Sequence, residues 1–240
     1  MEVSLVIPVH NEEENIEPLL AEIQAALSSI EYEVIYVDDG STDKTLLRLR
    51  EASTSFPRLR VIRHERSCGQ STAVLTGVRH ATAPWIATLD GDGQNDPADI
   101  PKMLAQAKSG RESGTTPLVC VCGYRRTRCD TWLRRISSQV ANGVRSALLK
   151  DDTPDTGCGL KVFSRETFLS LPYFDHMHRF LPALFLRSGG RVVSVEVNHR
   201  ERIRGTSKYG LFNRLWVGIV DILGVAWLQR RSRIPTIVKE

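Results

Sequence analysis

The sequence predicts an α/β fold, a Rossmann-like and mostly parallel sheet flanked by helices. Three observations carry this prediction. Short runs rich in β-branched residues alternate with helix-period runs through the first half of the 240-residue chain, and that alternation calls for parallel strands joined by right-handed crossovers. Three polar turns, Pro8-Val9-His10-Asn11-Glu12, Asp38-Asp39-Gly40-Ser41 and Asp90 to Asp96, each follow the carboxyl end of such a run, the edge at which open sheets bind ligands. The composition, 41% hydrophobic and 25% charged, supplies an ample core and argues against a disordered or fibrous chain.

Val3 to Val9 reads as the first strand. After it Ile16, Leu19, Leu20, Ile23, Ala26 and Leu27 recur at helical spacing, and Asn11 with Glu14 has the pattern of a capping box at the helix start. Tyr32 to Asp38, Leu59 to Arg63, Trp85 to Leu89 and Leu118 to Tyr124 read as further strands. Near the carboxyl end Leu215, Trp216, Ile219, Leu223, Ala226 and Trp227 follow helical spacing and Arg230, Arg231 and Arg233 close the segment, which describes an amphipathic helix with a basic flank. Its apolar part, Leu215 to Leu228, is about 21 Å of helix, short of a membrane core of about 30 Å, and Asp221 interrupts it. Residues 1–210 are therefore expected to form the α/β domain and residues 211–240 a helical tail lying on a membrane surface.

The turn Asp90-Gly91-Asp92-Gly93-Gln94 sets oxygen-bearing side chains at alternate positions directly after an apolar strand. Glycines between them let Asp90, Asp92 and Gln94 face one point, an arrangement suited to Mg²⁺ or Mn²⁺ with open positions for a diphosphate; a solvated Asp/Gly turn is the bland alternative. An EF-hand is excluded because Asn95 and Pro101 stand where the calcium loop needs Gly and Glu. No G-x-G-x-x-G follows the first strand and no G-x-x-x-x-G-K-[ST] occurs, so a diphosphate would be held by metal and arginines instead of a glycine-rich loop.

The net charge is only +4. Basic residues nevertheless cluster at Arg125, Arg126, Arg128, Arg134 and Arg135, and again at Arg200, Arg202, Arg204, Lys208 and Arg214, which points to an anionic partner. Nucleic acid is not expected, since no nucleic-acid-binding motif is present. Phosphorylated small molecules fit better. The five cysteines lack metal-ligand spacing and are expected to be reduced. The chain opens directly on a strand, so no secretory signal is expected.

Five motifs together resemble the family 2 inverting glycosyltransferases of GT-A fold, and within them the dolichol-phosphate mannosyltransferases and bacterial polyprenyl-phosphate relatives. They are Ile7-Pro8-Val9-His10-Asn11-Glu12-Glu13, Val37-Asp38-Asp39-Gly40-Ser41-Thr42-Asp43, Asp90 to Pro97, Gly157-Cys158-Gly159-Leu160-Lys161 and Gly205-Thr206-Ser207-Lys208-Tyr209. The resemblance implies that Pro8, Val9, His10, Glu12, Val37, Asp39, Asp90, Gly91 and Lys208 line the nucleotide-sugar site, with Asp39 accepting hydrogen bonds from base or ribose. It implies a metal on Asp90, Asp92 and Gln94, with Arg202 on the donor phosphates and Arg125 near the sugar and acceptor phosphate. Arg134 and Ser138 match a pair for the lipid phosphate, and Asp155 falls where related enzymes place a candidate base, here read equally as a positioning or loop-ordering residue. His10 replaces a Tyr common in the mannosyltransferases, which leaves base and sugar open.

The implied reaction is metal-dependent transfer from a nucleotide-sugar donor, GDP-mannose favoured, to a polyprenyl phosphate. UDP-linked glucose, N-acetylglucosamine or an amino sugar is the alternative donor, and a non-catalytic nucleotide-sugar-binding protein is the alternative of another class. The implied setting is the cytoplasmic face of a membrane, with the enzyme peripheral and served by an integral membrane partner.

Overall fold

A computed structural model describes residues 1–109, 119–125, 145–146, 148–200 and 212–233. Its strands are β1 (Val3–Val9), β2 (Tyr32–Asp38), β3 (Leu59–Arg63), β4 (Trp85–Thr88), β5 (Val119–Tyr124), β6 (Lys161–Ser164) and β7 (Arg191–Glu196). Its helices are α1 (Ile16–Ala26), α2 (Thr45–Ser55), α3 (Gln70–His80), α4 (Ile100–Lys108), α5 (Arg165–Ser170), α6 (Leu181–Arg187) and α7 (Phe212–Arg230). The strands form one sheet in the order β3-β2-β1-β4-β6-β5-β7. β1, β2, β3 and β4 run parallel, as expected of strands joined by helices. β6 lies antiparallel to both β4 and β5, and β5 pairs parallel with β7.

The central strands are apolar on both faces because helices cover both. Along β1, Leu5, Ile7 and Val9 point into a core shared with Ile16, Leu19, Leu20 and Ile23 of α1 and with Met103 and Leu104 of α4. Val6 points the other way and joins Ile35 and Val37 of β2, Ala73, Val74 and Val78 of α3, and Leu184 and Phe185 of α6. The parallel direction of β1, β2 and β4 places the three polar turns at one edge. Val9 stands opposite Asp38 and Val6 opposite Thr88, so the chain leaves β1, β2 and β4 into the same crevice.

At the opposite edge Glu33 is buried in β2 and accepts hydrogen bonds from Ser4 Oγ (2.7 Å), Thr82 N (2.7 Å), Thr82 Oγ1 (2.6 Å) and Arg60 Nη1 (3.0 Å). Burial raises its pKa, but these donors outweigh burial and bring it down to about 2.

One expectation is corrected. The Asn11/Glu14 capping box does not form. Helix α1 begins at Ile16, with Asn15 before it and no side-chain cap, while Asn11 adopts φ 53° and its Oδ1 accepts from Thr42 N at 2.7 Å. Asn11 thus laces the first polar turn to the second, and that tertiary bond outcompetes a local cap.

The carboxyl-terminal helix α7 has one face packed on the domain. The inner face of α7 carries Val225, 1% exposed, with Ile222, Ala226 and Leu228 packed on the same core. Gln229 donates to the carbonyls of Leu149 and Ala183, and Arg187 donates to that of Leu228. Its other face leaves Ile219, Val220, Leu223 and Trp227 exposed. No helix among the described residues is long and apolar enough to cross a membrane.

Candidate active site

The acidic turn after β4 is shaped by glycine. A side chain at Gly91 would strike Val9 Cγ1 and come within 3.3 Å of the Pro8 carbonyl, so only a bare Cα lets the turn lie across the end of β1. Asn95 Oδ1 accepts from Asp90 N at 3.1 Å, and Asp92 Oδ1 accepts from Gln94 N at 3.1 Å. These bonds fold the turn back on itself and hold Asp90 and Asp92 side by side. Loss of water and the neighbouring Asp92 charge push the Asp90 pKa up to about 6, against relief from Lys161, Gln70 and Arg125. A pair of carboxylates whose mutual repulsion is left incompletely neutralised fits a hard divalent cation, so this donor set suits Mg²⁺ or Mn²⁺.

Three further elements close around Asp90. Gly159, just before β6, packs its backbone against the carboxylate so tightly that a Cβ there would lie 2.5 Å from Oδ1 and closer still to Oδ2. Thr88 Oγ1 pins the Gly159 carbonyl at 2.8 Å. Gln70, the first residue of α3, donates from Nε2 to Asp90 Oδ1 at 2.8 Å. Lys161 is buried and donates to the Cys158 carbonyl.

Arg125, just past β5, forks onto Asp155, with Nε 2.6 Å from Oδ2 and Nη2 3.0 Å from Oδ1. Burial acts to lower the Arg125 pKa, but Asp155, Cys158 and Asp90 outweigh it and hold the guanidinium charged. Both Asp155 oxygens are engaged by this fork, which pairs Asp155 with Arg125.

Asp39 follows the carboxyl end of β2. Its carboxylate accepts from His64 Nδ1 (2.7 Å), Ser67 Oγ (2.8 Å), Cys68 N (2.8 Å) and Gly69 N (2.9 Å). Burial alone would raise its pKa; the donors prevail and hold it below the ordinary value. Four donors fill the acceptor positions of a carboxylate, so accepting from a base or ribose would require one of them to leave. Asp39, His64 and Cys68 bring ligand-type atoms within 4.8 Å of one another, but with Asp39 so occupied the group is a hydrogen-bonded network. His10 Nδ1 meets the Asp39 carbonyl at 2.8 Å, which makes it the protonated nitrogen.

Pro8, His10, Glu12 and Gly91 thus gather with Asp39, Asp90, Asp92 and Gln94 at one sheet edge. Two expected pocket residues belong to the interior instead. Val37 is fully buried and faces α3, where a Cβ on Gly77 would approach it to 3.3 Å; the strand's alternation turns it away from the crevice. Val9 faces the core shared with α1; its carbonyl accepts from Asp39 N at 2.8 Å and its side chain lies beneath Gly91 of the acidic turn. Arg200, one of the clustered arginines, is spent on Glu22 (2.7 Å) and Asp96 (2.9 Å). Arg134, Ser138, Arg202 and Lys208 lie outside the described residues.

The sequence reading missed Gln70. Its only signal was a Gly-Gln pair opening a helix after the third strand. Gly159 and Lys161 stood inside a quoted motif, but their contact with the acidic turn joins positions about 70 residues apart and is not legible locally.

The sheet, the crevice and the acidic turn define a GT-A glycosyltransferase. The Glycosyl transferase family 2 model matches residues 4–171, and the chain belongs to that family. It is 36% identical to dodecaprenyl-phosphate galacturonate synthase of Rhizobium johnstonii, over 98% of this chain and 69% of that protein. It is 34% identical to undecaprenyl-phosphate 4-deoxy-4-formamido-L-arabinose transferase of Edwardsiella ictaluri, over 98% and 72%. Among solved structures it is similar to glucosyl-3-phosphoglycerate synthase of Mycobacterium tuberculosis with Mn²⁺, UDP and phosphoglyceric acid, at TM-score 0.68 and 20% identity over 98% of this chain and 80% of that one. At that identity the likeness concerns the fold. The same synthase with Mn²⁺, UDP-glucose and glycerol 3-phosphate gives TM-score 0.64 and 21% identity, over 98% and 81%.

Proposed function

We propose that this glycosyltransferase moves a sugar, with inversion, from a uridine diphosphate sugar to a polyprenyl phosphate at a membrane surface. The observation that carries the proposal is the juxtaposition, at one sheet edge, of the Asp90/Asp92 pair with Arg125, a cation close enough to Asp90 to ease its charge. Cation-binding carboxylates beside a fixed guanidinium suit a reaction that brings two anions together. The curated relatives take polyprenyl phosphates and transfer an acidic or an amino-type sugar. Those sugars favour a UDP donor over GDP-mannose.

Asp90 and Asp92, with Gln94 alongside, would hold Mg²⁺ or Mn²⁺, which when bound neutralises the departing diphosphate. The rest falls to the chain. A lipid phosphate is a nucleophile without a base, because its second pKa of about 6 leaves it largely dianionic at neutral pH. Its oxygen attacks the anomeric carbon opposite the leaving group. Arg125, held by Asp155, receives the acceptor phosphate on the donor edge that Asp155 leaves free. Asp155 therefore acts through Arg125 and not as a proton acceptor. Pro8, His10 and Glu12 border the nucleoside, and Asp39 orders the 64–69 loop beside it.

Arg202 and Lys208 are proposed on the donor phosphates from motif position; Arg200, the last described residue before them, has its N–H on the Gln94 carbonyl of the acidic turn at 3.0 Å. Arg134 with Ser138 remains the proposed lipid-phosphate pair on motif position. For the membrane surface the support is the exposed face of α7, where Ile219, Val220, Leu223 and Trp227 precede Arg230, Arg231 and Arg233. Docking by that face would set the enzyme peripherally; the cytoplasmic side and an integral membrane partner are proposed from the family resemblance alone.

The test is transfer to undecaprenyl phosphate in liposomes with Mn²⁺, from a panel of UDP-galacturonate, UDP-4-deoxy-4-formamido-L-arabinose, UDP-glucose and GDP-mannose. A UDP sugar is expected to be used best, and Asp92→Asn should lower the rate on the order of a hundredfold to a thousandfold. Turnover from GDP-mannose alone, or an undiminished Asp92→Asn enzyme, overturns the proposal.

A further inference from the structure

The loop leading into α3 touches both carboxylate centres of the crevice. Ser67, Cys68 and Gly69 donate to Asp39, and the next residue, Gln70, donates to Asp90. Four consecutive residues therefore bind the carboxylate that follows β2 and the one that follows β4. Asp90 has little other freedom. Gly159 closes one side of its carboxylate, and Asp92, held by its bond from Gln94 N, repels it from another.

An amide is an apt group for this place. Its N–H fixes one oxygen of a carboxylate while adding no positive charge to compete with a cation. A hydrogen bond to Oδ1 leaves Oδ2 for a ligand. Resting on the reading of the acidic turn as the metal site, we propose that Gln70 is a positioning residue that sets the orientation of Asp90 toward the metal and, through the 67–70 strap, ties that orientation to Asp39. Gln70 belongs to no motif by which the acidic turn was recognised, and it acts through Asp90 without being a metal ligand itself.

Residues 67–70 hold the Asp39 and Asp90 carboxylates from one strap. A side chain at 70 that cannot donate should weaken metal affinity while leaving the three bonds to Asp39 in place.

The experiment uses the full chain and the probes Mn²⁺ and UDP. Free Mn²⁺ is followed by electron paramagnetic resonance with and without UDP, and UDP binding by calorimetry with and without Mn²⁺. Gln70→Met keeps length and apolar volume but donates nothing; Gln70→Glu sets a further carboxylate against Asp90. Gln70 is half-buried at a helix start, so both variants should melt near the wild type, which the same samples check by calorimetry. Gln70→Met is expected to bind Mn²⁺ in the presence of UDP about ten- to a hundredfold more weakly, the range for a hydrogen bond to a charged group, and Gln70→Glu more weakly still. UDP binding without metal should change little in Gln70→Met. Unaltered Mn²⁺ affinity in Gln70→Met overturns the role of Gln70 and leaves the acidic turn standing as the metal site. A wild-type chain that binds no Mn²⁺ even with UDP overturns both.

Discussion

Replacing Gly159 by alanine tests the enclosure of Asp90 without touching a charged or hydrogen-bonding side chain. The added Cβ would stand 2.5 Å from Asp90 Oδ1, about 1 Å inside the distance at which non-bonded heavy atoms rest. The backbone cannot easily retreat, because the Thr88 hydroxyl holds the Gly159 carbonyl at 2.8 Å. The carboxylate must therefore move by about 1 Å, enough to stretch its 2.8 Å bond from Gln70 beyond hydrogen-bond range. A displacement of that size in a reacting assembly costs on the order of a hundredfold in rate. Overpacking adds about 1–3 kcal/mol of destabilisation, or a few degrees of melting temperature at about 2–4 °C per kcal/mol for a chain of this size. The assay is Mn²⁺-dependent UDP release in the presence of lipid acceptor, paired with a melting curve of the same sample. Gly159→Ala enzyme that turns over at the wild-type rate with an unshifted melting temperature would refute the claim that Gly159 fixes the Asp90 carboxylate.

Three other outcomes follow from the same geometry. Asp155→Asn should raise KM for the lipid phosphate more than for the nucleotide sugar, with kcat falling about ten- to a hundredfold, while the pH–rate profile keeps its shape; loss of the alkaline plateau would show that Asp155 takes a proton. Glu33, 5% exposed and with its pKa lowered to about 2, contributes stability that is present above pH 4.5 and lost as pH falls toward 2. Urea unfolding should then find Glu33→Gln destabilised by about 3 kcal/mol at pH 7 with a gap that narrows below pH 4.5, and a gap independent of pH would contradict the hydrogen-bonded carboxylate. The double variant Leu223→Glu with Trp227→Glu alters side chains 59% and 58% exposed, so it should fold and bind Mn²⁺ with UDP normally yet lose flotation with anionic liposomes; full flotation would remove α7 as the membrane-facing element.

The sequence by itself determined the sheet's first half and the three turns at its edge. Strands β1 to β4 and helix α1 were legible because period-two and period-3.6 patterns are local, and one buried face fixes each pattern within a few residues. The acidic turn was legible because glycines at 91 and 93 alternate with the oxygen-bearing Asp90, Asp92 and Gln94 directly after an apolar strand, a pattern that a solvated turn shares. The tertiary structure alone decided what surrounds those carboxylates. Asn11 turned from helix capping to the second turn, because a bond to Thr42 some thirty residues away won over a local one. Val37 went to the core because strand alternation, set by the pairing of β2 with its neighbours, faces it toward α3. In α7, Ile219, Leu223 and Trp227 share the expected apolar stripe, yet Val225 and Leu228 supply the inward face, and the position of α6 determines which of the helix's apolar residues are buried. Gln70 and Gly159 reach Asp90 from positions 20 and about 70 residues distant. No periodicity encodes such contacts, since they depend on where three strands end in space.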